Sequence, residues 1–167
     1  TIKLVGAQRA MLSIVIVCGL LTYGGVSLFV VVFAVYPFAA ELFRQSNIPK
    51  RLIPGTIALG AFTFTMDALP GSPQIQNIIP TSFFGTTSWA APTLGVAGTV
   101  FILILGLSYL EWRRRAALKA GEGYAGSDPL LNEPEAFRGD KLAHPAIALL
   151  PLVLVGVSNY LFTVWMP

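Results

Sequence analysis

Seven polar residues lie in the middle of a long apolar stretch of this 167-residue chain, which runs from Pro54 to Thr87. The same stretch contains Pro70, Gly71, Pro73 and Pro80, which exclude one continuous helix. In a lipid bilayer, a broken apolar segment survives only where it is buried in protein or lines a wet cavity. Discontinuous helices of this kind are typical of substrate and ion sites near the membrane midplane. The seven polar residues are Thr63, Thr65, Asp67, Ser72, Gln74, Gln76 and Asn77.

Asp67 is the one acidic residue deep in an apolar tract. A carboxylate inside a bilayer is costly and usually functional, so Asp67 is the candidate for carrying a coupled proton. Asp67 also lies one turn from the break, where it could instead be hydrated or cap exposed backbone N–H groups. Glu41 and His144 lie near the ends of predicted helices and are predicted to be interfacial.

The composition predicts an all-α polytopic membrane protein. Hydrophobic residues make up 54% of the chain and charged residues 11%, whereas soluble domains carry about 25% charged residues. The net charge of +3 comes from basic residues beside apolar tracts, which is typical of membrane-protein loops and predicts no nucleic-acid partner.

The same composition argues against an enzyme. Cys18 is the only cysteine and lies in an apolar run, so neither a disulfide framework nor a thiolate metal site is expected. With one histidine and no paired intramembrane carboxylates, the chain offers no nucleophile with its base, and we expect no cofactor and no metal. Because the chain lacks an initiator Met and ends directly after an apolar tract, we expect it to be an interior piece of a longer protein.

A re-entrant helical hairpin is predicted over residues 11–43. A straight helix over this tract would be about 50 Å long, too long for one crossing of a hydrocarbon core of about 30 Å and too short for two. Gly24 and Gly25 would form the tip, since glycine adopts backbone conformations that other residues resist. The alternative is a single tilted helix that extends into the interface.

The remaining elements follow from the same patterns. In the discontinuous helix of residues 54–87, we expect a first half from Pro54 to Met66, an extended stretch, and a second half starting near Asn77 or Pro80. Residues 90–112 are predicted to form a transmembrane helix, 113–143 a cytoplasmic loop and 145–165 another transmembrane helix. A hairpin would place the basic residues on one face, predicted to be cytoplasmic, so that a cysteine at Ala117 is labelled only from the cytoplasm.

Three strings of the chain resemble the gluconate permease family of proton symporters, within the ion transporter superfamily. They are LTYGGVSLFVVVFAVYP from Leu21, IPKRLIPGTIALGAFTFTM from Ile48 and ALPGSPQIQNIIPTSFFGT from Ala68. The similarity covers about Arg9 to Trp112, and HPAIALLPLV from His144 also fits. The resemblance implies a secondary transporter built from two inverted repeats, each with a hairpin and a broken helix, of which residues 1–167 are most of one.

The function implied by the resemblance is proton-coupled uptake of gluconate or a similar small hydroxy-carboxylate across the bacterial inner membrane. The alternatives are sodium-coupled transport of another organic acid and, from a different class, a non-transporting membrane assembly subunit. The expected partners are the lipid bilayer, the carboxylate substrate, the missing second repeat of the same chain and, in a homo-oligomer, further copies of it.

Binding of a small hydroxy acid would require hydrogen-bond donors, and no Lys or Arg lies inside a predicted membrane tract. The donors must then be helix N-termini together with hydroxyls and amides. As alternatives, Ser and Thr side chains often bond back to the preceding turn, Asn77 could cap the next half-helix, and the glycines could serve close packing. The candidate substrate-binding residues are Thr22, Gly24, Gly25 and Ser27 at the hairpin tip and Thr63, Thr65, Ser72, Gln76 and Asn77 at the break.

Overall fold

The computed structural model of the chain describes residues 7–124. The described part is helical and contains no strand. The predicted transmembrane helix of residues 145–165 and most of the predicted loop of residues 113–143 lie outside the described residues. The elements are α1 (Ala7–Tyr23), α2 (Leu28–Gln45), a 3-10 turn (Lys50–Leu52), α3 (Ile53–Ala61), α4 (Phe64–Asp67), α5 (Ile75–Phe84) and α6 (Pro92–Lys119).

A tight turn joins α1 to α2 at the predicted glycine pair. Gly25 has a φ of 90°, in the left-handed region that favours glycine, and the Val26 N–H donates to the Leu21 carbonyl. The two helices have 17 and 18 residues, which corresponds to about 26 and 27 Å, so the hairpin extends beyond residues 11–43 at both ends. The re-entrant placement of this hairpin in a membrane stays a prediction.

The first half of the broken helix is shorter than predicted. Instead of running from Pro54 to Met66, α3 ends at Ala61, and Thr63 leaves the helical region with a φ of −115° and a ψ of −110°. The hydroxyl of Thr65 donates to the carbonyls of Gly60 and Ala61. In a continuous helix these two carbonyls would accept from backbone N–H groups, and here the Thr65 hydroxyl takes that place.

The second half begins earlier than predicted, at Ile75 instead of Asn77 or Pro80. The backbone N–H groups of Asn77 and Ile78 both donate to the Gln74 carbonyl, which starts the helix before the proline is reached. Pro80 is therefore inside α5, where it removes one backbone donor from the helix. Residues 68–74 between α4 and α5 are not helical.

The last described helix is longer than the predicted transmembrane helix of residues 90–112. It starts at Pro92 and continues to Lys119, so the first residues of the predicted loop are helical. Glu111 pairs with Arg114 at 2.7 Å and with Arg115 at 2.7 Å, three and four residues further on. Ion pairs at these spacings stabilise a helix beyond its apolar part.

The core of the described part lies where α1, α2 and α3 pack together. Ile14 and Cys18 of α1 and Val31 and Val35 of α2 are buried in one cluster with Ile57 of α3. Each helix contributes residues spaced three or four apart, so one face of each points into the core.

Two described helices, α2 and α6, are long and apolar enough to cross a membrane. Only 11% of the most apolar stretch of α6 is buried. Apolar surface exposed to this extent requires a lipid or protein partner, which agrees with the prediction of a membrane protein.

Candidate substrate and ion site

The hairpin tip lies against the broken helix. The side-chain amide of Gln74 is buried and donates to the Thr22 carbonyl at 2.7 Å and to the Val26 carbonyl at 3.4 Å. On the other side of the tip, the Tyr23 hydroxyl donates to the Pro70 carbonyl at 3.1 Å. The structure therefore brings the two groups of predicted site residues, at the tip and at the break, into one region.

Most of the predicted hydroxyl donors at the break bond to the chain's own carbonyls. Thr63 donates to Leu59 at 2.7 Å, Thr65 donates to Gly60 at 3.0 Å, and Ser72 donates to Thr65. These bonds satisfy carbonyls that the interruption of the helix leaves without a backbone partner. Bonding to the preceding turn is the structural role that the sequence left open for Thr63 and Thr65. A role of Thr63, Thr65 and Ser72 in substrate binding stays a prediction.

Asn77 links the break to the segment that precedes α6. Its amide donates to the Ser72 carbonyl at 2.9 Å and to the Ser88 carbonyl at 3.2 Å. Asn77 lies inside the first turn of α5, and the N-cap position is occupied by Gln74. The side chain therefore does not cap α5 but holds the segment before α6 against the break.

The other predicted residues differ in exposure. Thr22 is fully buried, and its hydroxyl has no hydrogen-bond partner within residues 7–124. A buried unpaired hydroxyl is unfavourable, so a bound ion, water or substrate oxygen would satisfy it. The exposed candidates are Gly24, Gly25 and Ser27 at the tip and Gln76 on α5.

A cavity of about 280 Å³ lies between the break and the beginning of α6. Its lining includes Asp67, Asn77 and Ser88, together with Leu94 and Gly95 from the first turn of α6. The start of a helix carries a partial positive charge, whereas the carboxylate of Asp67 can bind a proton or a cation. The cavity therefore combines groups for an anion with a group for a coupling ion.

Asp67 is exposed, and its side chain makes no hydrogen bond or ion pair within the described residues. Of the two local alternatives, hydration and capping of backbone N–H groups, the exposure of Asp67 fits hydration. Whether this carboxylate carries the coupled proton stays a prediction. A second cavity, of about 400 Å³, lies beside α2 and α3 and is lined by apolar side chains and Tyr36. Its apolar lining does not suit a carboxylate.

The chain is similar to a curated bacterial transporter. It is 58% identical over 173 residues to the uncharacterized transporter YxjC of Bacillus subtilis (strain 168). The match covers 99% of the chain and 36% of YxjC, so the chain spans about a third of the length of the curated relative it matches. No protein-family model matches the chain, and no solved structure matches it.

This similarity supports a transport role. It also supports the prediction that the chain is not an enzyme. The similarity supports a transporter in general but does not show membership of the gluconate permease family. The substrate, the coupling ion and the inverted repeat therefore stay predictions.

Sequence reasoning missed four residues of this region: Tyr23, Gln74, Ser88 and Gly95. Gln74 was visible as a polar residue in the break but was not placed in the site. The signal for Gly95 was a glycine in the first turn of a long apolar helix. A Cβ added there would collide with the Ala68 carbonyl oxygen and Pro70, so α6 can approach the break this closely only with glycine at that position.

Proposed function

We propose that the chain is part of a secondary active transporter that couples proton entry to the uptake of gluconate or a similar small hydroxy-carboxylate across the bacterial inner membrane. The observation that supports the transport part of the proposal is the 58% identity to a transporter over 99% of the chain, whereas the substrate and the coupling ion rest on the resemblance of the three strings to the gluconate permease family. The interrupted helix, with the hairpin tip packed against it, supports the proposal because such breaks form ion and substrate sites in transporters.

The substrate carboxylate binds near the start of α6. Among residues 7–124, no Lys or Arg lines the cavity at the break, so the donors are the first backbone N–H groups of α6 and side-chain hydroxyls and amides. The substrate hydroxyls bind in the same region, near the hairpin tip, where the Thr22 hydroxyl has no partner in the part of the chain that the structure describes.

Asp67 couples the proton to the substrate. An ionised Asp67 shares the cavity with the carboxylate of the substrate, and the two negative charges repel each other. Protonation of Asp67 removes this repulsion, so the proton and the anion bind together and cross together. This linkage of two binding events is what a symporter requires.

We expect the full-length protein that contains this chain, reconstituted in vesicles, to accumulate labelled gluconate under an imposed pH gradient. A protonophore should abolish the accumulation, and unlabelled gluconate should compete better than hydroxybutyrate or other small acids. Accumulation that needs a sodium gradient, or competition only by another acid, would contradict the coupling ion or the substrate proposed here.

Asp67→Asn should abolish gradient-driven accumulation and leave exchange of labelled for unlabelled substrate intact. For one coupled proton, a gradient of one pH unit supports about tenfold accumulation, since a tenfold ratio corresponds to about 1.4 kcal/mol. The amide cannot carry the proton, so this accumulation is lost. Glu41→Gln is the control, because Glu41 does not line the cavity and forms an ion pair with Arg44 at 2.8 Å. Proton-driven accumulation by Asp67→Asn would exclude a coupling role for Asp67.

The end of α6 should face the cytoplasm. The position proposed from the sequence, Ala117, is 1% exposed and unsuitable for labelling, whereas Ala116 beside it is exposed. A cysteine at Ala116 should react with a membrane-impermeant maleimide from the cytoplasmic side, which is the outer surface of inverted vesicles, and not from outside intact cells. Ala117→Cys is the matched control and should react slowly from both sides. Fast labelling of Ala116→Cys from outside intact cells would contradict the predicted orientation.

A further inference from the structure

One exposed face of α6 changes from apolar to aromatic to cationic toward the end of the helix. Six exposed residues follow each other along this face, at spacings of three and four residues. Such spacings keep side chains on one side of a helix, and the first and last residues are five full turns apart. The face, called here the α6 outer face, consists of Phe101, Leu105, Ser108, Trp112, Arg115 and Lys119.

The cationic end of the α6 outer face carries surplus positive charge. Four cations lie between Arg113 and Lys119, against the single carboxylate of Glu111. Glu111 is shared by Arg114 and Arg115, and the Arg115 side chain is still 64% exposed. Lys119 makes no ion pair with any described residue.

Aromatic rings lie at the boundary between the apolar and the cationic parts. The rings of Tyr109 and Trp112 are 5.8 Å apart, and the guanidinium of Arg113 lies over the Trp112 ring at 5.8 Å. Tyrosine and tryptophan prefer the headgroup level of a bilayer, because one end of the ring is apolar and the other is polar.

We propose that the α6 outer face binds an anionic phospholipid, with an acyl chain along Phe101 and Leu105 and the headgroup phosphate between Arg115 and Lys119. From Phe101 to Trp112 the face is about 16 Å long, close to the hydrocarbon of one leaflet, which is about half of 30 Å. A lipid presents a phosphate directly beyond hydrocarbon of this length, where the cations lie. The proposal rests on a membrane location of α6 and is independent of the substrate and the coupling ion.

The test uses the full-length protein that contains this chain, purified in detergent. Native mass spectrometry should detect bound phosphatidylglycerol at concentrations where phosphatidylcholine does not bind. Each lost cation near an anionic headgroup weakens binding about fivefold, so Arg115→Gln combined with Lys119→Gln should weaken phosphatidylglycerol binding about 25-fold. Arg51→Gln is the control, since Arg51 pairs with Glu122 at 2.6 Å and lies outside the α6 outer face.

A second measurement locates the acyl chain. Phosphatidylglycerol with brominated acyl chains should quench the fluorescence of Trp112, measured as the difference between the protein and its Trp112→Phe variant. Equal binding of the two lipids, or unchanged phosphatidylglycerol binding in the double variant, would overturn the proposal. Competition by soluble glycerol phosphate would indicate a site for free phosphate. Unquenched Trp112 fluorescence would indicate that protein covers this face. Either result would also overturn the lipid proposal.

Discussion

Replacing Gly60 with alanine should destabilise the protein by about 3 kcal/mol, the upper end of the usual effect of overpacking. A Cβ at this position of α3 would lie 2.6 Å from the Cβ of Cys18 and 2.7 Å from the carbonyl oxygen of Val15. The Val15 oxygen is a backbone atom of α1, so it cannot rotate away as the end of a side chain would. The two helices would have to separate where the core is fully buried. Thermal unfolding of the purified full-length protein should show a lower melting temperature.

Gly98→Ala is the matched control for Gly60→Ala. The nearest atom to a Cβ at Gly98 is the Cβ of Ala68 at 3.9 Å, an ordinary contact. Alanine is favoured over glycine inside a helix by about 1 kcal/mol, so this variant should be unchanged or slightly more stable. Equal melting temperatures for Gly60→Ala and the wild type would contradict the close approach of α1 and α3.

The hairpin turn and the break in the discontinuous helix of residues 54–87 follow from local sequence. Gly24 and Gly25 mark a turn because glycine tolerates a positive φ, and Pro70 and Pro73 end a helix because of the restricted backbone around proline. These effects act over a few residues, so they can be recognised without knowledge of the packing. The locations of the two interruptions were therefore predictable from residue types alone.

The end of α3 and the end of α6 were not predictable in this way. Neither proline nor glycine marks the interruption at Thr63, which is accompanied by the packing of Phe64 against Gly19 of α1. At the end of α6, the arginines were interpreted as the boundary of a membrane helix. In the structure Glu111 pairs with two of them, and the helix continues to Lys119. Both outcomes depend on side-chain partners and not on residue types alone.

The candidate site shows the same limit. The polar residues at the break were found by composition, but the direction in which each hydroxyl donates was not. Thr63 and Thr65 donate to the preceding turn, whereas Gln74 reaches carbonyls 52 and 48 residues away in the chain. A contact of that separation is set by how α1 packs on the broken helix, so a single sequence carries no local signal for it.

Gln74→Leu should reduce uptake, because it weakens docking of the hairpin tip on the break about 5-fold to 150-fold. Leucine has a similar size but donates no hydrogen bond, so the carbonyls of Thr22 and Val26 lose the amide that now pairs with them. Leaving a buried group unpaired costs about 1 to 3 kcal/mol, which corresponds to this range in the equilibrium constant for docking of the tip. Uptake into vesicles by the full-length protein measures the effect.

Gln45→Leu is the control for Gln74→Leu, because it is the same substitution at an exposed residue of α2, outside the predicted site, whose amide donates to Glu41. Tyr23→Phe should give a smaller decrease, since it removes one hydrogen bond, to Pro70, from the same contact. Unchanged uptake in Gln74→Leu would contradict the requirement for a docked tip.

Reactivity of the native Cys18 separates docking of the tip from direct contact of Gln74 with the substrate. Cys18 is fully buried in α1, one turn before the tip, so a maleimide should reach it slowly in the wild type. If Gln74 holds the tip, Gln74→Leu should raise the rate of Cys18 modification in the same vesicles in which uptake falls. If Gln74 only contacts the substrate, uptake should fall while Cys18 stays protected. Faster modification of Cys18 together with reduced uptake would therefore show that Gln74 holds the tip in place, because access to a thiol in the core requires α1 to move away from the break.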